Sequence, residues 1–471
     1  MPASDLRLPE PSLTLPVKYL INRPPVFVDP ETTVAQAASI MQKAHIGSVL
    51  VADDPPGIVT DRDLRGRVLA EGLGPETSVR QVMTRPLKTV DSDVPVFMAL
   101  RLMLEENIHH LVLVEEGKIV GVISGTDLLH HEASSPFYLR RTLDNLEDPA
   151  TMAHYAQEIA SAVQALFRGG LGAVQIGQMV SSLNDALVKR LVGLAEAALG
   201  PPPTPFAWIV FGSEGRLEQT LLTDQDNALV YEHASREAHA YFAALAKQVV
   251  DGLIHVGFPA CPGGFMATNW CKPLNEWQSL FTNWVRTPEP QALLDAAIFF
   301  DFRPVAGALS LTPLEEILVR AGAEKLFIAQ AAQEALAWRP PLGFFNRIRS
   351  DHGMVDLKKG GIGPIVNLAR VGALAAGSRE RSTLERLAVA GKSGAVFKQE
   401  DSATLAETFQ FLLRVRLRQQ LAAVQAKQLS DHKVRLDALS TLERRHLKEA
   451  FVTIRHIQQD VRARLHLDRM G

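Results

Sequence analysis

Cysteine is scarce in this sequence, and long apolar runs are missing. Its 471 residues include two cysteines, Cys261 and Cys271, and their spacing fits neither a CxxC metal knuckle nor a disulfide framework. We interpret both as structural residues and expect a reducing, cytoplasmic compartment. No stretch approaches the roughly 18 consecutive apolar residues of a spanning helix. The N-terminus lacks a basic stretch followed by an apolar one, so we expect neither membrane insertion nor a secretory signal.

Aromatic residues are also few, at 6% of the chain, and the charge is unevenly distributed. Residues 341–471 carry a net charge of +10, which leaves −13 for the first 340 residues. A basic C-terminal region indicates either an anionic partner or arginine-rich exposed helix faces, and the sequence leaves both interpretations open. The low aromatic content offers few platforms for base stacking, which argues against a nucleic-acid partner without excluding one.

The first 135 residues contain an internal repeat. Pro24 matches Pro86 at an offset of 62 residues, and Gly57 matches Gly121 at an offset of 64. Each copy predicts an amphipathic helix, two short β-branched strands and a second helix. The predicted first helices span 33–45 and 94–107, and the predicted strands span 48–51, 57–59, 111–114 and 119–123. This β-α-β-β-α unit, present twice, resembles the CBS domain pair (a Bateman module).

Two short motifs in the repeat suggest ligand sites. Thr60 with Asp63, and Ser124 with Asp127, each lie at the predicted start of the second helix. A helix N-terminus favours phosphate, and an acid three residues later suits a ribose diol. The resemblance implies that these residues bind AMP, ADP or ATP as regulatory ligands, and that the protein forms a homodimer through the CBS pair. A plain capping box is the alternative interpretation, and both can hold together.

The remaining chain predicts a multidomain protein of mixed α/β and α domains. We expect a CBS pair at residues 1–135 and a helical linker at 136–200. An α/β domain at 201–335 and a basic helical bundle at 336–471 are expected to follow. Strands of the α/β domain are predicted at 206–211, 224–231 and 297–303, and helices dominate from about residue 315.

The segment FGSEGRLEQT, followed by TDQDN, carries the strongest chemical signal. Gly212 and Ser213 close a tight turn that can bring backbone N–H groups and a hydroxyl onto a phosphate. Arg216 can add a charged fork to a triphosphate. Asp224 and Asp226 face one side of a predicted strand and repel each other unless cations lie between them. We therefore expect Mg²⁺ or Mn²⁺ at these two acids.

This strand, GS turn and DxD arrangement resembles the polymerase-β-type nucleotidyltransferase superfamily. Its GSxGRxE form is similar to the protein-modifying branch, which includes PII uridylyltransferase and glutamine synthetase adenylyltransferase. With the CBS pair and the CPGG, FFDFR and KKGGI segments, the whole chain resembles a family of uncharacterised nucleotidyltransferases. The residue between the two acids is usually apolar in the superfamily, whereas here it is Gln225.

The resemblance implies a signal-transduction enzyme that transfers a nucleoside monophosphate from an NTP to an acceptor, such as a protein hydroxyl. Adenine nucleotides at the CBS pair would regulate the transfer. Two other functions stay open. One is a non-catalytic nucleotide sensor that acts through a protein partner, since pseudo-enzymes keep the fold. The other is an RNA-end nucleotidyltransferase, for which the basic C-terminal region leaves room.

The resemblance also implies a third carboxylate near the two acids, because superfamily members that transfer to a hydroxyl usually use one more acid on a neighbouring strand to share a metal and assist deprotonation. Asp295 and Asp301 are the candidates. Asp301 lies among aromatic residues in a predicted buried strand, where an unpaired carboxylate is costly. We predict Asp301 as the third catalytic acid, with a salt bridge to Arg303 as the alternative.

Two basic segments in the C-terminal region receive simpler interpretations. Residues 358–364, KKGGIGP, can form either a phosphate cradle or the start of a helix, and we favour the helix start because the segment lacks the GK[ST] of a P-loop. Arg414, Arg416 and Arg418 alternate around a predicted helix, which is typical of a solvated or salt-bridged face.

Overall fold

The computed structural model describes residues 13–21, 23–125, 136–144, 146–148, 155–221, 224–426 and 432–467, with only the backbone at 136–138 and 141. The contacts divide the chain into two compact units. Unit 1 comprises residues 1–141 and 165–171, and unit 2 comprises residues 142–164 and 172–471. None of the helices in these described segments combines the length and apolar character needed to cross a membrane. The predicted domain boundaries at residues 135, 200 and 335 stay predictions.

Unit 1 contains two three-stranded sheets of the same topology. Its strands are β1 Phe27–Val28, β2 Ser48–Val51, β3 Gly57–Thr60, β4 Thr89–Asp91, β5 His110–Glu115 and β6 Lys118–Ser124. Its helices are α1 Val34–Ala44, α2 Asp61–Asp63, α3 Val79–Val82 and α4 Val96–Glu105, with a 3₁₀ turn at Val17–Leu20 and a π-helical segment at Leu64–Leu69. In each sheet the first strand is parallel to the second and the second antiparallel to the third. The described part of both copies thus confirms the repeat.

Local sequence explains the first helix of the repeat. Thr33 accepts a hydrogen bond from the Gln36 N–H, and the Gln36 side chain accepts one from the Thr33 N–H, which closes a capping box. Val34, Ala37 and Met41 recur at helical spacing and are buried. They pack in one cluster with Val49 and Val59 of the sheet, so the helix is held mainly by its apolar face.

Unit 2 contains a four-stranded sheet in the order β10-β7-β8-β9. Its strands are β7 Phe206–Val210, β8 Asn227–Tyr231, β9 Cys271–Pro273 and β10 Arg303–Gly307. The neighbouring helices are α7 Ala173–Leu199, α8 Gly212–Gly215, α9 Arg236–His255, α10 Leu274–Arg286 and α11 Pro290–Phe299. Helices α5 Pro136–Asp144 and α6 Tyr155–Arg168 contain residues of both units. Every residue of β7 and β8 is buried, as expected for central strands covered on both faces.

The rest of unit 2 is mainly helical, as predicted. It contains α12 Thr312–Ala321, α13 Lys325–Ala337, α14 Gly363–Ala375, α15 Thr383–Ser393, α16 Gln399–Gln425 and α17 Thr441–Arg464. Short helical turns occur at Phe344–Asn346, Lys358–Ile362 and Leu436–Ala438. A small antiparallel pair, β11 Met354–Asp356 with β12 Lys433–Arg435, was not predicted. The favoured interpretation of KKGGI is confirmed, because Lys358–Ile362 forms a π-helical turn that leads into α14.

Two predicted strands of unit 2 were wrong in their bounds. The segment 297–303 is the end of helix α11, a turn and the first residue of β10. Its apolar run packs as a buried helix end, where the Phe299 ring lies 4.3 Å from Trp270 and 4.6 Å from Phe211. A short apolar run does not distinguish a buried strand from a buried helix. Strand β8 begins at Asn227, so Asp224 and Asp226 precede the strand and do not lie within it.

Candidate active site

The GS turn lies directly after the buried strand β7. Gly212 has a left-handed φ of 55°, a conformation that glycine adopts without steric cost. A Cβ at this position would lie 3.0 Å from the Asp226 Oδ2 atom. Glycine therefore lets the acid approach the turn, and the Phe211 N–H donates a 3.0 Å hydrogen bond to the Asp226 carbonyl at the same place. The GS turn and Asp226 therefore lie next to each other, as the predicted site requires.

Asp224 and Asp226 lie together with Cys261, which the sequence alone indicates as a structural residue. One ligand atom from each of Asp224, Asp226 and Cys261 falls within 4.8 Å of the others. Within the described segments no other set of three His, Cys, Asp or Glu side chains meets this spacing. Burial, and then the charge of Asp224, raise the pKa of Asp226 to about 6. Two carboxylates suit Mg²⁺ or Mn²⁺, and a thiol suits a softer ion, so the donor set fits a divalent cation.

The polar residues between and after the acids hold the loop that carries Cys261. The Gln225 N–H donates to the Pro259 carbonyl at 3.2 Å. Asn227 donates to Gln225 Oε1 at 3.1 Å and accepts from the Ala267 N–H at 2.8 Å. Both side chains are buried. This network explains why the position between the acids is an amide and not an apolar residue.

Cys261 is held beside Asp226 by that loop. Its sulfur has hydrogen bonds with the Asp226 side chain and with the backbone of Gly263 and Phe265, while burial raises the pKa of the thiol. The CPGG segment, which supports the family resemblance, is the sequence signal that could have placed Cys261 at the site. Its glycine at 263 leaves no room for a side chain, because a Cβ there would lie 2.7 Å from the Phe265 ring.

The structure corrects the expectation for Asp301. Its carboxylate is fully buried and is bound by three guanidinium groups, from Arg216 at 2.5 Å, Arg370 at 2.7 Å and Arg386 at 2.5 Å. These arginines hold the pKa of Asp301 far below its usual range, against the opposing effect of burial. Asp301 is not in the group formed by Asp224, Asp226 and Cys261. We therefore assign it a structural ion-pair role in place of the expected third metal-binding acid.

Arg216 has a different environment from the one expected. It lines the cavity beside the GS turn, but its Nε donates to Glu218 at 2.8 Å and its Nη1 donates to Asp301. Glu218 in turn accepts from the Thr383 N–H and hydroxyl. Arg216 therefore links the turn to helix α15 before any ligand binds. Its predicted contact with a triphosphate stays a prediction.

A cavity of about 350 Å³ opens at these residues. Its polar lining includes Gly212, Ser213, Asp224 and Asp226. Most of the remaining lining is apolar and includes Leu293, Phe300, Phe327, Trp338 and Val366. A cavity of this size, with an apolar body and a few convergent polar groups, is typical of a small-molecule site.

Two basic residues of the C-terminal helical part also line this cavity. Lys358 exposes its side chain there, whereas Arg416 of α16 is only 6% exposed. The solvated-face interpretation was wrong for Arg416, although Arg418 does pair with Glu443 as such a face predicts. Arginines that alternate along a predicted helix do not show which of them faces a cavity. The sequence therefore did not predict that Arg416 lines this one.

The first CBS motif forms the capping box that was its alternative interpretation. The Thr60 hydroxyl and N–H donate to Asp63 Oδ2 at 2.7 and 2.9 Å, and the Asp63 N–H donates to the hydroxyl at 3.3 Å. Arg67 lies 3.4 Å from the other Asp63 oxygen. The pair is therefore in place at the helix start, and its role toward a nucleotide stays a prediction.

The second CBS motif is described only in part. Ser124 ends β6 and pairs in register with His110. Asp127 lies outside the described residues. The prediction that this pair binds a nucleotide is therefore untested.

Family models match three regions of the chain. CBS domain models match residues 17–70 and 79–134. A model described as "Putative nucleotidyltransferase DUF294" matches residues 157–291, and one described as "Putative nucleotidyltransferase substrate binding domain" matches residues 325–465. The order of these matches is that of the fusion expected from the sequence.

Curated relatives are similar to the chain over about a quarter of its length. An uncharacterised protein of Methanopyrus kandleri is 34% identical over 121 residues, which is 25% of this chain and 62% of that protein. CBSCBSPB2, a CBS domain-containing protein of Arabidopsis thaliana, is 36% identical over 28% of this chain and 26% of its own length. The CBS domain-containing protein YhcV of Bacillus subtilis is 30% identical over 25% of this chain and 86% of its own length. The chain thus spans less than two thirds of the first two relatives.

Two solved structures are similar to the chain over about the same share of its length. A CBS domain protein of Pyrobaculum aerophilum complexed with AMP is 30% identical, with a TM-score of 0.23 over 25% of this chain and 94% of that one. A conserved protein of Pyrococcus horikoshii is 34% identical, with a TM-score of 0.24 over 25% of this chain and 90% of that one.

Proposed function

Because the chain belongs to the CBS-domain-containing proteins and joins a CBS pair to a nucleotidyltransferase-type domain and its substrate-binding domain, we propose that it transfers a nucleoside monophosphate from an NTP to an acceptor. The acceptor class that we propose is a protein hydroxyl. The observation that carries the proposal is that a GS turn and two neighbouring carboxylates line one cavity.

The proposed reaction is an in-line displacement at the α-phosphorus. The acceptor oxygen forms a new bond to this phosphorus, the bond to the β-phosphate oxygen breaks, and pyrophosphate and the hydroxyl proton leave. Asp224 and Asp226 would hold Mg²⁺ or Mn²⁺, which supplies positive charge between the carboxylates and the phosphate oxygens. Gly212 and Ser213 would orient the phosphate through the turn. The apolar lining of the cavity would contact the nucleobase and exclude water from it.

Regulation by adenine nucleotides at the CBS pair is part of the proposal. Support comes from the duplicated Thr-Asp and Ser-Asp motifs and from the position of Thr60 and Asp63 at a helix start. Asp63 offers two carboxylate oxygens there, which match the two hydroxyls of a ribose diol.

The test uses the full-length protein with α-labelled ATP, GTP, CTP or UTP, Mg²⁺ or Mn²⁺, and a cell lysate. We expect label on a protein band and release of pyrophosphate. Asp224→Asn and Asp226→Asn should each lower transfer by about 10²-fold or more, since charge stabilisation of this kind is worth several kcal/mol. Asp251→Asn is the matched control, because Asp251 lies in a surface ion pair with Lys247.

The other outcomes identify the alternatives. Label on RNA would indicate an RNA-end nucleotidyltransferase. Binding of NTP without any transfer would indicate a non-catalytic sensor. Full transfer by the Asp224→Asn, Asp226→Asn double variant would contradict the proposed site.

A further inference from the structure

Arg416 is a buried cation that has no carboxylate partner among the described residues. Its side chain is almost fully buried, and its Nε atom has no hydrogen-bond partner within the described segments. One Nη atom lies 3.2 Å from Nδ1 of His432. No described carboxylate lies within ion-pair distance of its guanidinium, whereas the cavity's other arginines, Arg216 and Arg370, both pair with Asp301. A buried charge without a partner is costly, so this arrangement points to a ligand that supplies the negative charge.

The groups around Arg416 do not place a negative charge against its guanidinium. His432 has its pKa lowered to about 4, first by burial and then by Arg416 and Lys358, so it is neutral near pH 7 and cannot offset the charge. Asp356 acts on Arg416 from a greater distance, and its Oδ1 already accepts the Lys359 N–H at 2.9 Å. The charge of Arg416 is therefore opposed only from beyond ion-pair distance, by Asp356, within the described part of the chain.

Lys358 adds a second cation on the same wall. It lines the cavity with Arg416, and no described carboxylate lies within ion-pair distance of its ammonium group. The Leu357 N–H donates to the His432 carbonyl at 3.0 Å, which ties the backbone before Lys358 to the residue that contacts Arg416. This hydrogen bond therefore links the segment that carries Lys358 to the residue that contacts Arg416, although the two cations are distant in the sequence.

From this geometry we infer that Lys358 and Arg416 form an anion subsite that binds the β- and γ-phosphates of the NTP, the part that leaves as pyrophosphate. The inference rests on the proposed function and deepens it. In that function the GS turn and the acids would hold the α-phosphate, and Lys358 and Arg416, which the C-terminal helical part contributes to the cavity lining, would hold the phosphates beyond it. A guanidinium and an ammonium group are the side chains that bind phosphate oxygens most strongly. The C-terminal helical part therefore completes the nucleotide site.

The experiment measures binding by calorimetry on the full-length protein with Mg²⁺, using three probes: NTP, the matching nucleoside monophosphate, and inorganic pyrophosphate. The variants are Arg416→Gln and Lys358→Gln. Arg418→Gln and Lys359→Gln are their matched controls, since Arg418 lies on the same helix in an ion pair with Glu443 and Lys359 is the exposed neighbour of Lys358.

We expect each subsite variant to weaken NTP and pyrophosphate binding by about tenfold or more, because a charge-assisted phosphate contact is worth at least that factor. Monophosphate binding should change by less than about twofold. Both controls should bind like the wild type. Arg416→Gln should also keep or raise the unfolding temperature without ligand, since it removes a buried charge that has no ion-pair partner among the described residues. This result separates lost binding from lost folding.

Several outcomes would overturn the inference. If wild-type protein binds NTP and both subsite variants bind it equally well, the subsite does not exist. If the variants lower transfer only through the acceptor, with NTP affinity unchanged, the cations serve the acceptor instead. Failure of the proposed function is a separate result: wild-type protein that binds pyrophosphate through Lys358 and Arg416 but transfers no nucleotide keeps the subsite and loses the activity.

Discussion

Arg303 binds Asp185 with both of its Nη atoms, at 2.6 and 2.9 Å. The two residues lie far apart in the sequence, on β10 and α7, so this bidentate pair fixes the edge strand to the long helix. Asp301, only two residues before Arg303, has other partners. The alternative interpretation, a salt bridge from Asp301 to Arg303, was therefore wrong. Asp301 does form ion pairs, but with other arginines.

Breaking this pair should cost stability. Both side chains are about 15% exposed. Asp185→Asn should therefore leave a largely buried guanidinium without the negative charge that balances it, and should lower the free energy of unfolding by about 3 kcal/mol. Urea unfolding of the full chain measures it. Asp251→Asn, which removes an exposed ion pair with Lys247, should cost less than about 1 kcal/mol. Equal losses in the two variants would contradict the assignment.

Asp301→Asn tests the structural role of Asp301. Removing this buried charge leaves three guanidinium groups facing one another, so we expect a loss of about 3–5 kcal/mol or an insoluble protein. At a temperature where the variant remains folded, Mn²⁺ binding per folded molecule, measured by electron paramagnetic resonance, should match the wild type. A folded variant that has lost Mn²⁺ binding would restore Asp301 as a metal-binding acid.

The sequence predicted the repeat, the GS turn and the acid pair because each is a local pattern. Turn residues and helix caps depend on neighbours within a few positions, as Thr33 and Gly212 show. The environment of Asp301 depends on Arg370 and Arg386, which follow it by 69 and 85 residues. No spacing rule connects residues that meet only through tertiary packing. For the same reason the sequence did not predict the positions of Cys261 and Arg416. A loop places Cys261 beside the acids, and a helix near the end of the chain places Arg416 at the cavity.

Gly215 is required by close backbone packing. A Cβ there would lie 2.0 Å from the Asp301 carbonyl oxygen and 3.0 Å from that of Val210. Gly215→Ala should therefore lower stability by about 3 kcal/mol or more, through displaced backbone next to the site. Gly193→Ala is the matched control, because a Cβ in that helix meets nothing within 4 Å, and alanine should raise stability by up to about 1 kcal/mol. Thermal unfolding of the two variants decides, and a neutral Gly215→Ala would contradict the packing argument.

Glu214 should make stability depend on pH. Burial, and then the charge of Asp185, raise the pKa of Glu214 to about 8. The folded state therefore holds a proton that the unfolded chain releases near the ordinary pKa of a glutamate. The stability that this proton contributes is complete below about pH 4.5 and is lost as pH rises through about 8. Glu214→Gln should remove this part of the slope, and its gain in unfolding temperature over the wild type should be larger at pH 9 than at pH 6. An equal difference at both pH values would contradict the assignment.

Asp63 should support both the cap and the nucleotide site of the first CBS copy. Its Oδ2 now accepts from the Thr60 hydroxyl at 2.7 Å, and a ribose diol would have to share these carboxylate oxygens. Asp63→Asn keeps the shape but loses the charge that strengthens such hydrogen bonds. In calorimetry on the full chain we expect AMP, ADP or ATP affinity at this site to fall by about tenfold. The loss of cap strength should cost about 1 kcal/mol of stability. Asp61→Asn, an exposed neighbour on the same helix, should change neither quantity. If Asp63→Asn lowers stability and leaves every nucleotide affinity unchanged, the motif is a cap alone, because the carboxylate would then stabilise the helix start without contributing to ligand binding.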